Sequence, residues 1–479
     1  MEKQTNNQST KEDKRTSNGM KTNSTSLKNC VDLFFQIGAS REWSESEIVS
    51  AFTKAYSEDP LTAMRILFYN RDVLQGQGER RTFRIIIKHL AQNYTNSARK
   101  NLHLISEFGR WDDLLMFVGT ELEKEAFELI KKALIDGENK LAGKWMPREK
   151  SKTYKGVANK LRKHMGLNAK DYRKLLVNLT TVVEQQMCSK DWSNIKYSAV
   201  PSIAMKNYRT AFYKNDEEGI KTYIEKLEKG EEKISAKAIF PHDIVKPLIS
   251  GWDNAQAESD SEIKLLEEQW KALPNFMEES TENIIPVCDV SGSMYGLPME
   301  VCIALGLYIS ERTEGAFKDT FITFSSTPKI QQIKSKRLSE KVNELKRADW
   351  DTSTNLEATF RLILDKAVKF NVPQEQLPST MLILSDMQFN ECTKEPNDSA
   401  YEMIENQYKE AGYKMPKIVF WNLSAGVGNH PVRFNEKGTA MVSGFSPSIL
   451  KALLAGGTFT PEGIMFEVIE KERYGVITV

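Results

Sequence analysis

Beyond residue 281 the chain alternates short apolar runs with amphipathic stretches, and this alternation constrains the fold more than any other feature. Residues 284–289, 320–324, 380–385 and 417–422 are compact apolar runs that read as strands. Residues 298–313, 338–346, 356–369 and 401–411 carry their apolar positions at helical spacing. Strands and helices in alternation build a parallel sheet covered by helices on both faces. Pro286 complicates the first strand. It cannot donate to a ladder, so it is expected at the strand's start or beside a bulge.

The remainder of the 479 residues is too long to belong to the same core, and its pattern differs. Residues 1–26 are mostly Asn, Thr, Ser and Lys, which cannot offset the entropy of ordering, so a disordered polar tail is expected. Residues 27–275 recur at three- and four-residue intervals, as in Val31, Leu33, Phe34, Ile37 and then Ile48, Phe52, Ala55, Tyr56. Pro60 opens one helix where a first turn tolerates proline. Further helices are expected at 82–93, 101–108, 111–118 and 122–134, stacked as hairpins in a solenoid. The fold class is therefore α plus α/β: a helical repeat region over 27–275, then a Rossmann-like parallel-sheet domain over 281–479.

Three predicted strand ends in the second domain carry oxygen-bearing side chains. Asp289-Val-Ser291-Gly-Ser293 follows the first strand, Asp351-Thr-Ser-Thr354 precedes the helix from Leu356, and Asp386 follows the strand ending at Ser385. Open parallel sheets bind ligands at these ends. Two carboxylates and three hydroxyls suit a hard divalent cation, Mg²⁺ or Mn²⁺, and leave it electrophilic toward one more acidic group. Gly292 is expected to let the loop turn between the serines. The competing explanation is that Asp289, Ser291 and Ser293 only cap the next helix. The pattern resembles the metal-ion-dependent adhesion site of von Willebrand A domains. That resemblance implies that Ser291, Ser293 and Thr354 contact the ion, with Asp289 and Asp386 acting more often through water.

Two junctions in the helical region are distinctive: Asn70-Arg-Asp-Val-Leu-Gln-Gly76-Gln-Gly78-Glu-Arg80, and Glu107-Phe-Gly109-Arg110-Trp111-Asp112-Asp113. Glycines end helices and charged residues begin them, so structural turns and caps are the first expectation for Gly76, Gly78, Gly109 and Asp112. The junctions also resemble the TROVE module of Ro-type proteins, a HEAT-like helical ring that binds small structured RNAs and carries a von Willebrand A domain. Segments such as Lys144-Trp-Met-Pro, Cys188-Ser-Lys-Asp-Trp192 and Phe240-Pro-His-Asp are similar instead to a Ro-related family that pairs the same two parts and implies no particular biochemistry.

From Lys140 to Lys174 there are twelve Lys or Arg and two acidic residues, although the whole chain is nearly neutral, with 66 basic against 65 acidic residues. Such a tract is the footprint of a polyanion site, or else a solvated helix face. Lys144, Arg148, Lys152, Lys155, Lys160, Arg162, Lys163, Arg173 and Lys174 are the candidate RNA contacts. Trp145, Tyr154 and Tyr172 lie among them and are expected to stack bases.

Five scattered cysteines argue against a disulfide framework or a zinc site. No apolar stretch reaches the roughly 18 residues of a membrane span, and the first residues are not a secretory signal, so a cytoplasmic location is expected. There is no phosphate-binding loop, and the histidines stand apart from any nucleophile. The combined expectation is a non-enzymatic RNA-binding scaffold with a cation-dependent ligand domain. The alternative is a protein-interaction scaffold that binds no RNA and captures an acidic partner residue at the metal.

Overall fold

The computed structural model describes residues 14–19, 21–180, 182–236, 238–249, 260–278, 280, 282–289, 291–324, 327–348, 355–389, 400–426, 429–455 and 457–479. β1 (Lys14–Arg15) and β2 (Lys21–Thr22) pair as a small antiparallel hairpin. Residues 14–19 and 21–26 were expected within a disordered tail, but they lie against the α/β domain. Their polar groups find partners there that sequence proximity cannot reveal: Asn23 bridges His430, and Arg433 donates to the Thr25 carbonyl at 2.8 Å. Residues 1–13 of the expected tail are outside the described residues.

Four helices follow: α1 (Asn29–Ile37), α2 (Glu45–Glu58), α3 (Pro60–Arg71) and α4 (Arg81–Asn93). Ser44 and Glu47 close a capping box at the start of α2, and Asp59 caps α3 with Pro60 in its first turn. Two later expectations change form. Residues 101–108 divide into a 3-10 turn (Leu102–Leu104) and a short helix (Ile105–Phe108), and Trp111–Phe117 is 3-10 rather than α.

The sheet has six strands: β3 (Ile284–Cys288), β4 (Thr320–Thr323), β5 (Lys329–Gln332), β6 (Thr380–Ser385), β7 (Lys417–Asn422) and β8 (Thr439–Ser443). Their order is β5-β4-β3-β6-β7-β8, parallel except for the edge strand β5. β3, β4, β6 and β8 are buried at every position, as sheets covered on both faces require. Pro286 sits in the middle of β3 with no bulge. It is tolerated because the β3–β4 ladder begins only at Val287, one residue later.

The helices are not a free-standing solenoid. α1 packs on β8, and one apolar core runs from Cys30 to Ile477 through both regions, while Val183–Leu265 contributes a second, smaller cluster. At the α1–β8 contact, Ser443 Oγ donates to the Phe34 carbonyl and accepts from Gly38 N–H. A Cβ on Gly38 would lie 2.9 Å from the Gly444 Cα, so the two backbones can approach this closely only with glycine at position 38.

The junction containing Gly76 and Gly78 lies across this interface. Gln77 Oε1 accepts from Phe445 and Ser446 N–H, and its amide donates 2.6 Å to the Tyr69 hydroxyl. The next residues inward are also used, since Arg473 forms a bidentate pair with Asp72. Among the described residues no helix is long and apolar enough to cross a membrane, and Cys30, Cys188, Cys288 and Cys302 are free thiols.

Candidate metal centre

The strand order reverses direction between β3 and β6, which makes their C-terminal ends the walls of the sheet's crevice. Asp289 follows β3 and Asp386 follows β6. Each carboxylate accepts a backbone amide from two residues on. Ser291 N–H donates 2.9 Å to Asp289 Oδ1, and Gln388 N–H donates 3.1 Å to Asp386 Oδ1. Met387, between Asp386 and Gln388, is buried with φ of 64°, a left-handed conformation that a non-glycine residue adopts only when its surroundings hold it.

The hydroxyls complete an all-oxygen set. Ser291 Oγ lies 3.1 Å from Ser293 Oγ, and the Ser293 hydroxyl also bonds Asp386. Both carboxylates are buried. Burial first, and the neighbouring Asp386 second, push the Asp289 carboxyl up to about 6. Burial likewise raises Asp386. Two buried carboxyls of like charge face hydroxyls and, among the described residues, no basic side chain that bonds either of them, and a divalent cation fits that deficit. Among the described residues no three His, Cys, Asp or Glu converge, so a cation here depends on serine oxygens. Thr354, the fifth predicted ligand, is outside the described residues, as is Asp351.

The capping explanation does not account for these residues. The long helix after β3 begins at Leu297 with Gly296 as its cap, beyond a separate 3-10 turn at Gly292–Met294. The expectation for Gly292 is corrected: a Cβ there would meet nothing within 4 Å, and its φ is not positive. Tyr295 stands 82% exposed just after the serines.

Residues 16–171 and 140–282 match the family described as Domain of unknown function (DUF2828), and residues 283–475 match Domain of unknown function (DUF7788). A curated protein of Acanthamoeba polyphaga mimivirus is 31% identical over 506 residues, spanning 95% of this chain and 87% of its own. This chain belongs to the DUF2828 family. Among solved structures, the Deinococcus radiodurans RO (RSR) protein aligns with 92% of this chain and 93% of its own at 12% identity and a TM-score of 0.39, a likeness that carries no argument.

Two site residues of this DUF2828 protein were not singled out from sequence. Ser385 Oγ donates 2.6 Å to Asp289 Oδ2, tying the two strand ends together. Its signal was a hydroxyl closing an apolar strand directly before Asp386. Gln388 is the other; its partners come from the N-terminal hairpin.

The basic tract of the DUF2828 region is only partly available. Lys144 pairs with Glu184, Lys160 with Glu123, and Arg162 with Glu149, while Arg148 donates to Thr180 Oγ1. The aromatic expectation is overturned. Tyr172 is buried with its hydroxyl on the Pro147 carbonyl, and the Arg110 guanidinium covers Trp145 at 3.5 Å. Tyr154 donates to Asp112 and accepts from Arg84. Tyr154 and Trp145 adjoin a network in which Arg71 and Arg84 clamp Asp113, while Arg84 and Arg110 clamp Asp112. Gly109 permits it, since a Cβ there would lie 2.5 Å from Asp113 Oδ2. Among the described residues Lys152, Lys155, Lys163, Arg173 and Lys174 face no acidic partner. Arg173 and Lys174 share one face of the helix Ala169–Leu179 with Lys170.

Proposed function

We propose that this protein is a non-enzymatic binding protein whose α/β domain is of the von Willebrand A type and captures an acidic partner group through one divalent cation, Mg²⁺ or Mn²⁺. The observation that carries this reading is the pair of buried carboxyls, Asp289 and Asp386, at the crevice where the strand order reverses, with Ser291 and Ser293 between them. Ser291, Ser293 and Thr354 would hold the ion directly, with Asp289 and Asp386 behind them. A cation held mostly by neutral hydroxyls supplies a Lewis-acidic position for an external carboxylate or phosphate oxygen. Ser385 and Gln388 keep the two carboxylates oriented. The shared core and the Gln77 latch make the helical region a rigid mount for this domain.

The test is Mn²⁺ binding to the intact chain, followed by electron paramagnetic resonance. The Ser291→Ala/Ser293→Ala double variant is expected to leave the ion free in solution at concentrations where the parent binds it. Undiminished binding by the double variant would overturn the assignment.

A second reading, RNA binding by the helical region in a Ro-type ribonucleoprotein, rests on the exposed cations Lys152, Lys155, Lys163, Arg173 and Lys174. With Trp145, Tyr154 and Tyr172 committed internally, such binding would be electrostatic contact with the RNA backbone rather than base stacking.

A further inference from the structure

The N-terminal hairpin reaches the candidate cation site through Gln388. Ser17 donates to Gln388 Oε1 from both its N–H, at 2.9 Å, and its hydroxyl, at 2.7 Å. Asn18 Nδ2 donates 2.6 Å to the Gln388 carbonyl, and Thr16 Oγ1 donates 2.6 Å to the next carbonyl, that of Phe389. The backbone N–H of the same Gln388 donates to Asp386 Oδ1. Hairpin, Gln388 and cation ligand therefore form one continuous hydrogen-bonded chain. Gln388 lies only two positions from Asp386, and the buried, left-handed Met387 fixes the turn between them.

The other end of this strap is anchored independently. Asn23 and His430 exchange backbone bonds of 3.1 and 3.0 Å, Phe434 N–H donates to the Ser26 carbonyl, and the Asp32 carboxylate of α1 accepts from Ser26 N–H. Residues 23–26 are thus held by the α/β domain and α1 whatever happens at Gln388. Thr16, Ser17 and Asn18 all hydrogen-bond the 388–389 loop. The strap is thus held at one end by the α/β domain and α1, and hydrogen-bonded at the other to the loop that carries Asp386.

We propose that Gln388 is a positioning residue and that residues 14–19 are a strap whose docking is coupled to cation occupancy at Asp386. The inference rests on the cation reading of the site. A docked strap immobilises the 387–389 loop and so prepares Asp386 for the ion. By reciprocity, an ion held at Asp386 favours the docked strap by the same factor. The hairpin carries Lys14, Arg15 and Lys21, so its docking can be read by trypsin.

The experiment compares the full-length chain, Gln388→Ala and Ser17→Ala/Asn18→Ala. Mg²⁺ affinity is read by calorimetry, and the rate of tryptic cleavage at Arg15 and Lys21 is followed with and without Mg²⁺. None of these substitutions removes a proposed ligand, and Gln388→Ala keeps the backbone donor to Asp386. In the parent, Mg²⁺ is expected to slow cleavage about fivefold or more, and both variants are expected to bind Mg²⁺ weaker by a similar factor. Cleavage in the variants should no longer respond to Mg²⁺. If the parent binds Mg²⁺ and the variants bind it equally well, the coupling is wrong while the cation site stands. If the parent binds no Mg²⁺ or Mn²⁺, both fail together.

Discussion

Ser385 Oγ donates a 2.6 Å hydrogen bond to Asp289 Oδ2, joining the C-terminal ends of β6 and β3 across the crevice at which the sheet order reverses. The bond occupies one oxygen of a buried carboxylate, and the Ser291 amide occupies the other. Asp289 is thereby held in one orientation while still short of positive charge. That combination makes a cation the natural complement of the site and gives it a definite pH behaviour.

Without cation, the site should destabilise the protein as pH rises. A carboxyl moved from its ordinary 3.8 to about 6 favours the folded state less once it ionises, at a cost on the order of 3 kcal/mol above pH 6. The penalty is absent below about pH 4 and complete above about pH 6. Mg²⁺ prefers the ionised form, so its stabilising effect should grow through the same interval. Melting curves from pH 4.5 to 7.5, in chelator and in Mg²⁺, should therefore diverge with rising pH; parallel curves would contradict the placement of Asp289.

The buried Arg71–Asp113 pair makes a separate prediction. Arg71 is 2% exposed, and Asp113→Ala would strand its charge, so a loss of about 3–5 kcal/mol in denaturant unfolding is expected. The neighbouring Asp112 gives the acid limb. Burial alone would raise its carboxyl, but the Arg110 and Arg84 guanidiniums override this and hold it at about 2. Its contribution is fully present above about pH 4 and disappears as pH falls through 2. A parent and an Asp112→Asn variant should thus converge in stability toward pH 2.

The Gln77 latch can be tested from both sides. Gln77→Ala removes the acceptor of two buried N–H groups, each worth about 1–3 kcal/mol. Gly444→Ala would place a Cβ 2.1 Å from Gln77 Oε1 at a φ of +100°. Both should lower the unfolding midpoint, whereas Gly292→Ala, with open space around it, should change it by less than about 0.5 kcal/mol.

For the RNA reading, Lys163→Glu/Arg173→Glu/Lys174→Glu should abolish any salt-sensitive binding of a structured RNA, and each neutralised phosphate contact should reduce the salt slope by about 1. Lys144→Ala should leave that slope unchanged, because Lys144 already pairs with Glu184. A steep slope retained by the triple variant would rule out this surface.

What could be read in advance follows from the range of the interactions. β3, β6 and β7 were legible because parallel strands buried on both faces are unbroken apolar runs. The edge strand β5, Lys-Ile-Gln-Gln, has no such run, and β8, Thr-Ala-Met-Val-Ser, is polar at both ends and lies between the glycines Gly438 and Gly444, so neither was foreseen. Asp289, Ser291 and Ser293 were legible because the motif is contiguous. The roles of Gln388 and the hairpin were not, because their contacts join residues about 370 positions apart. Trp145 and Tyr154 misled for the same reason. Their charged neighbours in sequence are visible, but the Arg110, Arg84 and Asp112 that occupy them arrive from other elements.

The most direct test of the central claim is the melting temperature of the intact chain at pH 7.5, with chelator and with saturating Mg²⁺ or Mn²⁺, beside that of Asp289→Ala. The parent is expected to melt several degrees higher with the ion, and the variant to be folded but indifferent to it. An intact chain whose melting temperature does not move with either cation, or an Asp289→Ala variant that keeps the full shift, would contradict the cation site.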